Sequence, residues 1–119
     1  MVGAETVITA DRADSADAMP LISEGRPAGC GGVQIFGTEY AELKRMYVRP
    51  EFRGRRIGKL LLDHLAARAQ EAGVRLLRLE TGIHQSAAVR LYEAYGFRRR
   101  MAFAPYRDDP LSLYYEKSL

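Results

Sequence analysis

Four cations and two glycines crowd into one short run, Arg53-Gly54-Arg55-Arg56-Ile57-Gly58-Lys59. Like charges this close repel one another, so an anionic ligand is the natural counterpart. The run leads straight into a leucine-rich segment. A loop entering a helix offers free backbone N–H groups and the positive end of the helix dipole, which together bind phosphate. Gly54 and Gly58 let a ligand approach the backbone closely. The plain alternative is a solvated basic helix start with glycine for the turn. A P-loop would need GxxxxGK[ST]. Here only three residues separate Gly54 from Gly58, and Leu60 stands where a magnesium-binding hydroxyl is required. The dinucleotide fingerprint GxGxxG is also absent.

The elements that must position this loop are legible around it. PLISE, GRPAG and CGGVQIF read as two strands around a tight turn. TEYAELKRMYV is a third extended run, ended by Pro50. Ile57, Leu61, Leu65 and Ala69 recur every four residues, with Leu62 and Ala66 beside them, which predicts an amphipathic helix stopped at Gly73. VRLLRLET follows as a strand, and SAAVRLYEAY as a second helix stopped at Gly96. FRRRMAF and LSLYYEKSL read as final strands separated by the turn-rich APYRDDP. Strand, glycine loop, helix and strand make a βαβ unit with its two strands parallel. The fold class is α/β, a mixed central sheet with a parallel βαβ core and flanking helices. A ligand site belongs at the carboxyl ends of the parallel strands.

The 119 residues suffice for one domain and one core. Residues 1–18 are polar and read as a partly disordered segment, with a short strand from Thr6 to Thr9 as the alternative; residues 19–119 read as the domain. The net charge is only +3 and the basic residues are clustered, which argues against nucleic acid as the partner. A single cysteine, Cys30, permits no internal disulfide and fits a reducing, cytoplasmic setting. No run approaches the ~20 apolar residues of a membrane span, and the opening residues lack the pattern of a secretory signal. Two histidines and one cysteine without ligand spacing predict no metal site.

With these residues in hand, the chain resembles the Gcn5-related N-acetyltransferases. Their coenzyme A signature is [QR]xxGx[GA] after a strand ending in V-x-P. Val48, Pro50 and Arg53-Gly54-Arg55-Arg56-Ile57-Gly58 fit it, with Arg56 standing where the family's central glycine belongs. An arginine is strained there if the backbone needs a positive φ; a first-turn helical conformation is expected instead. The family's last helix often reads NxxAxxLYxxxGF. Ala88, Leu91, Tyr92, Gly96 and Phe97 match at that spacing, and Gln85 replaces the asparagine. Alone, an LY…GF pattern is helix core and helix stop. The two motifs together, in order and with a strand between them, carry the resemblance from about Pro20 to Leu119.

The resemblance implies acetyl-CoA as acetyl donor and a small-molecule or peptide amine as acceptor, with direct transfer through a tetrahedral intermediate. It places the pyrophosphate on the backbone from Arg53 through Lys59. The pantetheine arm lies along Met46, Tyr47 and Val48, with Gln85 and Ala88 also on the cofactor side. Tyr92 occupies the family's general-acid position, and a backbone N–H near Val48 would stabilise the oxyanion. Three candidates stand for the base: Glu42, Glu80 and His84. Against Glu42 stands a strand carboxylate paired with Lys44 or Arg45. His64 and Cys30 read as a surface and a packed residue. The family's usual helices before the hairpin have no periodic counterpart in residues 1–18, which predicts an open acceptor side or closure by a second subunit in a homodimer. A non-catalytic acyl-CoA-binding module is the alternative function, and a nucleic-acid-binding module, supported only by FRRRM, is the third.

Overall fold

Both helices end by the same device, a paired hydrogen-bond closure around a glycine that turns the chain back toward the sheet. The computed structural model describes residues 6–8, 19–23, 25–54 and 56–119. Helix α1 (Ile57–Glu71) stops where the Val74 N–H reaches the Ala69 carbonyl at 3.0 Å and the Gly73 N–H reaches Gln70 at 2.9 Å. Helix α2 (Ser86–Tyr95) stops where Phe97 donates to Tyr92 at 3.0 Å and Gly96 to Glu93 at 3.1 Å. Both are paired six-to-one and five-to-two closures around a left-handed glycine, Gly73 at φ 84° and Gly96 at φ 108°. The stops expected at Gly73 and Gly96 are therefore present.

The strands are β1 (Thr6–Ile8), β2 (Met19–Ser23), β3 (Arg26–Phe36), β4 (Tyr40–Val48), β5 (Leu76–Gly82), β6 (Arg98–Arg100) and β7 (Ser112–Ser118). They form one sheet in the order β1-β2-β3-β4-β5-β7-β6. Only β4 and β5 run parallel; the other described neighbours are antiparallel. The expected α/β sheet with a parallel βαβ core is therefore present. Most boundaries shift by a residue or two, and two move further. The hairpin turn falls at Gly25, so Arg26 to Gly29 belong to β3 rather than to the turn. The penultimate strand shrinks from the whole of FRRRMAF to Arg98–Arg100, the stretch that pairs with β7. Thr6–Ile8 pairs with Leu21 to Ser23, and the rest of the polar segment lies outside the described residues.

Two features of β4 shape the site. Its ladder with β5 holds only at Ala41↔Leu77 and Glu42↔Arg78. Beyond that point β4 stays with β3 as far as Gly29↔Val48, and β5 stays with β7 along its whole length. A gap therefore opens between the carboxyl ends of the parallel pair. The second feature is a bulge. The β3–β4 register steps from Gly32↔Lys44 to Cys30↔Tyr47, which puts one extra residue on β4. Side chains alternate faces along a strand, so the extra residue reverses the alternation. Ala41 and Leu43 pack with Leu62, Leu65 and Ala66 of α1. After the bulge Met46 and Val48 face that same side, against Ala28, Phe52, Ile57 and Leu61. Glu42 and Lys44, in contact with each other, face the opposite side of the sheet.

Candidate active site

The short turn Pro50–Phe52 carries the chain from β4 toward α1, and Arg53 closes it through its N–H to Pro50. The Arg53 side chain then folds back, Nε donating to the Val48 carbonyl at 3.1 Å. Arg56 precedes α1 with φ 62° and ψ 19°. That corrects the expectation of a helical Arg56: the position is left-handed, and an arginine holds it at a steric cost. Arg55 lies outside the described residues.

The start of α1 has no side-chain cap. Its first intrahelical bond is Leu60 N–H to the Arg56 carbonyl at 3.1 Å, so the N–H groups of Ile57, Gly58 and Lys59 have no intrahelical acceptor. The start of α2 is alike. Gln85 supplies no side-chain cap, and Val89 makes the first backbone bond back to it at 2.9 Å. Both helix starts border one cavity of about 590 Å³. Met46, Tyr47, Val48, Arg53, Gly54, Arg56, Ile57, Gly58, Lys59, Gln85, Ala88 and Tyr92 all line it. These residues come from motifs far apart in sequence, brought together by the gap between β4 and β5.

Two basic residues are not wholly free for a ligand. Arg53 is tied to Val48, and the Lys59 ammonium pairs with Asp63 at 2.9 Å. The Asp63 carboxyl also accepts from Tyr95 at 2.7 Å, which ties α1 to α2. Hydrogen bonds from Lys59 and then Tyr95 hold that carboxyl below its ordinary pKa despite some burial.

Tyr92 is 6% exposed. Its ring meets Phe97 edge-on at 5.8 Å, the contact set up by the closure that ends α2. Burial pushes its phenol up to about 12, and among the described residues its hydroxyl has no hydrogen-bond partner. A neutral phenol at the cavity wall is a proton donor over the whole physiological range. At the end of β4 the Arg49 N–H reaches the Ala28 carbonyl of β3 at 2.7 Å. Successive N–H groups point to opposite edges of a strand, so that of Val48 is directed toward the gap.

Glu42 does not join this group. It is 1% exposed and absent from the cavity wall. One carboxylate oxygen accepts from the Tyr106 hydroxyl at 2.5 Å. The other lies 3.9 Å from Lys44 Nζ, an ion pair too long for a hydrogen bond. Glu80 faces the same side and accepts from Ser112 at 2.7 Å. His84 is exposed at the cavity rim. Sequence reasoning missed Phe52, Ser86, Ala87 and Leu91 as cavity walls. Ser86, Ala87 and Leu91 lie in the matched second motif, so that signal was available. Tyr106 was missed too, and nothing in APYRDDP marks it.

A mixed sheet that parts at the one parallel pair among its described strands, with two uncapped helix starts at the opening, defines the acyl-CoA N-acyltransferase architecture. The sequence model of the acetyltransferase (GNAT) family matches residues 5–97, and the chain belongs to that family. It is 46% identical over 97 residues to an IAA acetyltransferase of Azospirillum brasilense, covering 80% of this chain and 63% of that protein. The N-acetyltransferase YsnE of Bacillus subtilis is 35% identical over 94 residues, covering 77% and 62%. The chain thus spans somewhat under two thirds of these relatives. Among solved structures, a Klebsiella pneumoniae protein assigned as an acyl-CoA N-acyltransferase superposes with a TM-score of 0.84 at 43% identity, covering 88% of this chain and 73% of that one. PaiA N-acetyltransferase of Thermoplasma acidophilum, solved with coenzyme A, shares the fold at a TM-score of 0.75 and 24% identity, covering 86% and 60%. No described helix is long and apolar enough to cross a membrane. Among the described residues no cluster of His, Cys, Asp and Glu can hold a metal ion.

Proposed function

We propose that the protein is an acetyl-CoA-dependent N-acetyltransferase that moves an acetyl group directly to a primary amine. The observation that carries this reading is the uncapped, left-handed entry to α1 at Arg56, which borders one cavity with Tyr92. Acetyl-CoA supplies a thioester-activated acetyl group and a thiolate leaving group. The N–H groups of Ile57, Gly58 and Lys59 hold the pyrophosphate, with Gly54 giving close approach and Arg53 and Arg56 adding charge. The free edge of β4 from Met46 to Val48 pairs with the pantetheine amides as a further strand would. The Val48 N–H donates to the oxyanion, and Tyr92 protonates the departing sulfur. Gln85 and Ala88 close the wall on the α2 side.

Acetyl-CoA turnover against amino acids, polyamines, aminoglycosides and peptides with free N-termini tests this. Amine-dependent thiol release supports it; none with any amine contradicts it. The burial of Glu42 away from the cavity favours a second reading, a module that binds acyl-CoA without turnover. Saturable acetyl-CoA binding with no thiol release would select that reading. The proposal extends to a homodimer in the cytoplasm. Exposed Met101 at 76% and Leu111 at 62% offer apolar surface for a second copy. Light scattering that finds only monomer at micromolar concentration would contradict the dimer.

A further inference from the structure

Glu42 is buried, yet its carboxylate is bonded to a residue that is only half-buried. Tyr106 is half-buried and donates its hydroxyl to the carboxylate across 64 residues of chain. Both lie on the sheet face opposite α1 and α2, beside the pair Glu42↔Arg78 at which β4 and β5 begin to part. Both helices pack on one face, so the donor proposed at their starts leaves the other face of the gap for the amine.

We infer that Tyr106 is the group the acceptor meets, relaying the proton of its ammonium to Glu42. This rests on the acetyl-transfer reading above. The ammonium gives one proton to the Tyr106 oxygen as the Tyr106 hydroxyl proton passes to Glu42. The amine becomes neutral and nucleophilic, Glu42 becomes the neutral acid, and Tyr106 ends as it began. No phenolate forms. Burial, the hydrogen bond to Glu42 and the nearby Glu42 and Glu80 charges all push the Tyr106 phenol well above its ordinary pKa, which favours a concerted relay over ionisation.

The surroundings suit a fixed relay. The Tyr106 ring packs at 5.2 Å against Phe103 and at 5.8 Å against Tyr114. The Tyr114 hydroxyl is spent on the Arg107 carbonyl at 2.8 Å, and Glu80 is engaged by Ser112. Arg78 and Arg100 share Glu116 at 3.3 and 2.7 Å, so neither competes for Glu42. The proton arrives on the Glu42 oxygen that Tyr106 already meets, while the second oxygen is buried without a hydrogen bond, 3.9 Å from the Lys44 ammonium.

The test uses Tyr106→Phe, Glu42→Gln and the double variant, with ethanolamine, L-lysine, spermidine and an alanine-terminated peptide as acceptors. Phenylalanine keeps the ring packing, and glutamine keeps an acceptor for Tyr106, so the two variants disturb the fold differently. Each should lower kcat by about 10²-fold, the low end for general acid–base groups. Acetyl-CoA affinity should not change, and the double variant should be no slower than either single one, because both cut one relay. Near-native kcat in either variant, or losses that multiply in the double variant, would overturn the relay while leaving acetyl transfer standing. A wild type that binds acetyl-CoA but acetylates none of the four amines would overturn the relay and the transfer reading together. Failure to bind acetyl-CoA would bring down the assignment of the cavity itself.

Discussion

Gly58 and Leu91 meet where α1 passes α2: a Cβ on Gly58 would stand 2.7 Å from Leu91 Cδ2 and 3.3 Å from Cδ1. Gly58 thus serves helix packing as well as the ligand loop. A bulky residue there would force α2 away rather than simply plug the cofactor site. Gly58→Ala is expected to cost roughly 1 kcal/mol, since the leucine tip can yield, and Gly58→Leu up to about 3 kcal/mol, the range for overpacking. Urea unfolding of the two variants checks the order. Equal stability of Gly58→Leu and the native chain would show that the contact relaxes freely.

Arg56 makes the opposite prediction. A left-handed arginine costs roughly 1–2 kcal/mol, and glycine's extra freedom in the unfolded chain costs roughly 0.5–1 kcal/mol. Arg56→Gly should therefore stabilise the protein slightly, by roughly 0.5–1 kcal/mol. It should also weaken acetyl-CoA binding, and more so at low salt, where the lost charge matters most. Unfolding and calorimetry at two ionic strengths measure both effects. A stability loss in Arg56→Gly would mean that the arginine side chain holds the loop.

The helix stops, the βαβ core and most of the cavity wall were legible because each depends on local pattern: apolar residues every four positions, glycine at the stop, two motifs in order. The features that were not legible depend on contacts between distant segments. The Arg56 conformation is imposed by the turn from β4 into α1, against the residue's own preference. The β4 bulge leaves no mark in AELKRMYV, yet it turns Glu42 and Met46 to opposite faces of the sheet. That is why Glu42, a candidate base in the sequence, lies away from the cavity that Met46 and Val48 line. Tyr106 and Glu42 meet only because the segment after β6 folds back over the sheet.

Tyr92→Phe is expected to lower kcat by about 10²-fold. The thiolate is already a fair leaving group near neutral pH, which keeps the effect at the low end of that range. Acetyl-CoA affinity should hold, because the ring stays; loss in kcat without loss in binding marks a role in the transition state. Steady-state kinetics beside cofactor titration decide it.

The same phenol carries a pH prediction. Its pKa is raised by burial from 10.0 to about 12 in the folded chain. Below pH 10 both folded and unfolded states keep the proton, and the stabilisation is fully present. As pH rises from 10 toward 12 the unfolded state ionises first, so stability falls. Tyr95, Tyr106 and Tyr115 are raised as well and add to the fall. Tyr92→Phe should lose stability less steeply across that window. Parallel alkaline unfolding curves for the two proteins would show that the Tyr92 phenol titrates as if exposed.

Thiol release from acetyl-CoA, measured with and without each amine of the panel, tests the central claim most directly. The account predicts release that depends on the amine and saturates with acetyl-CoA. Saturable binding of acetyl-CoA with no amine-dependent release would contradict it and leave the chain a binding module.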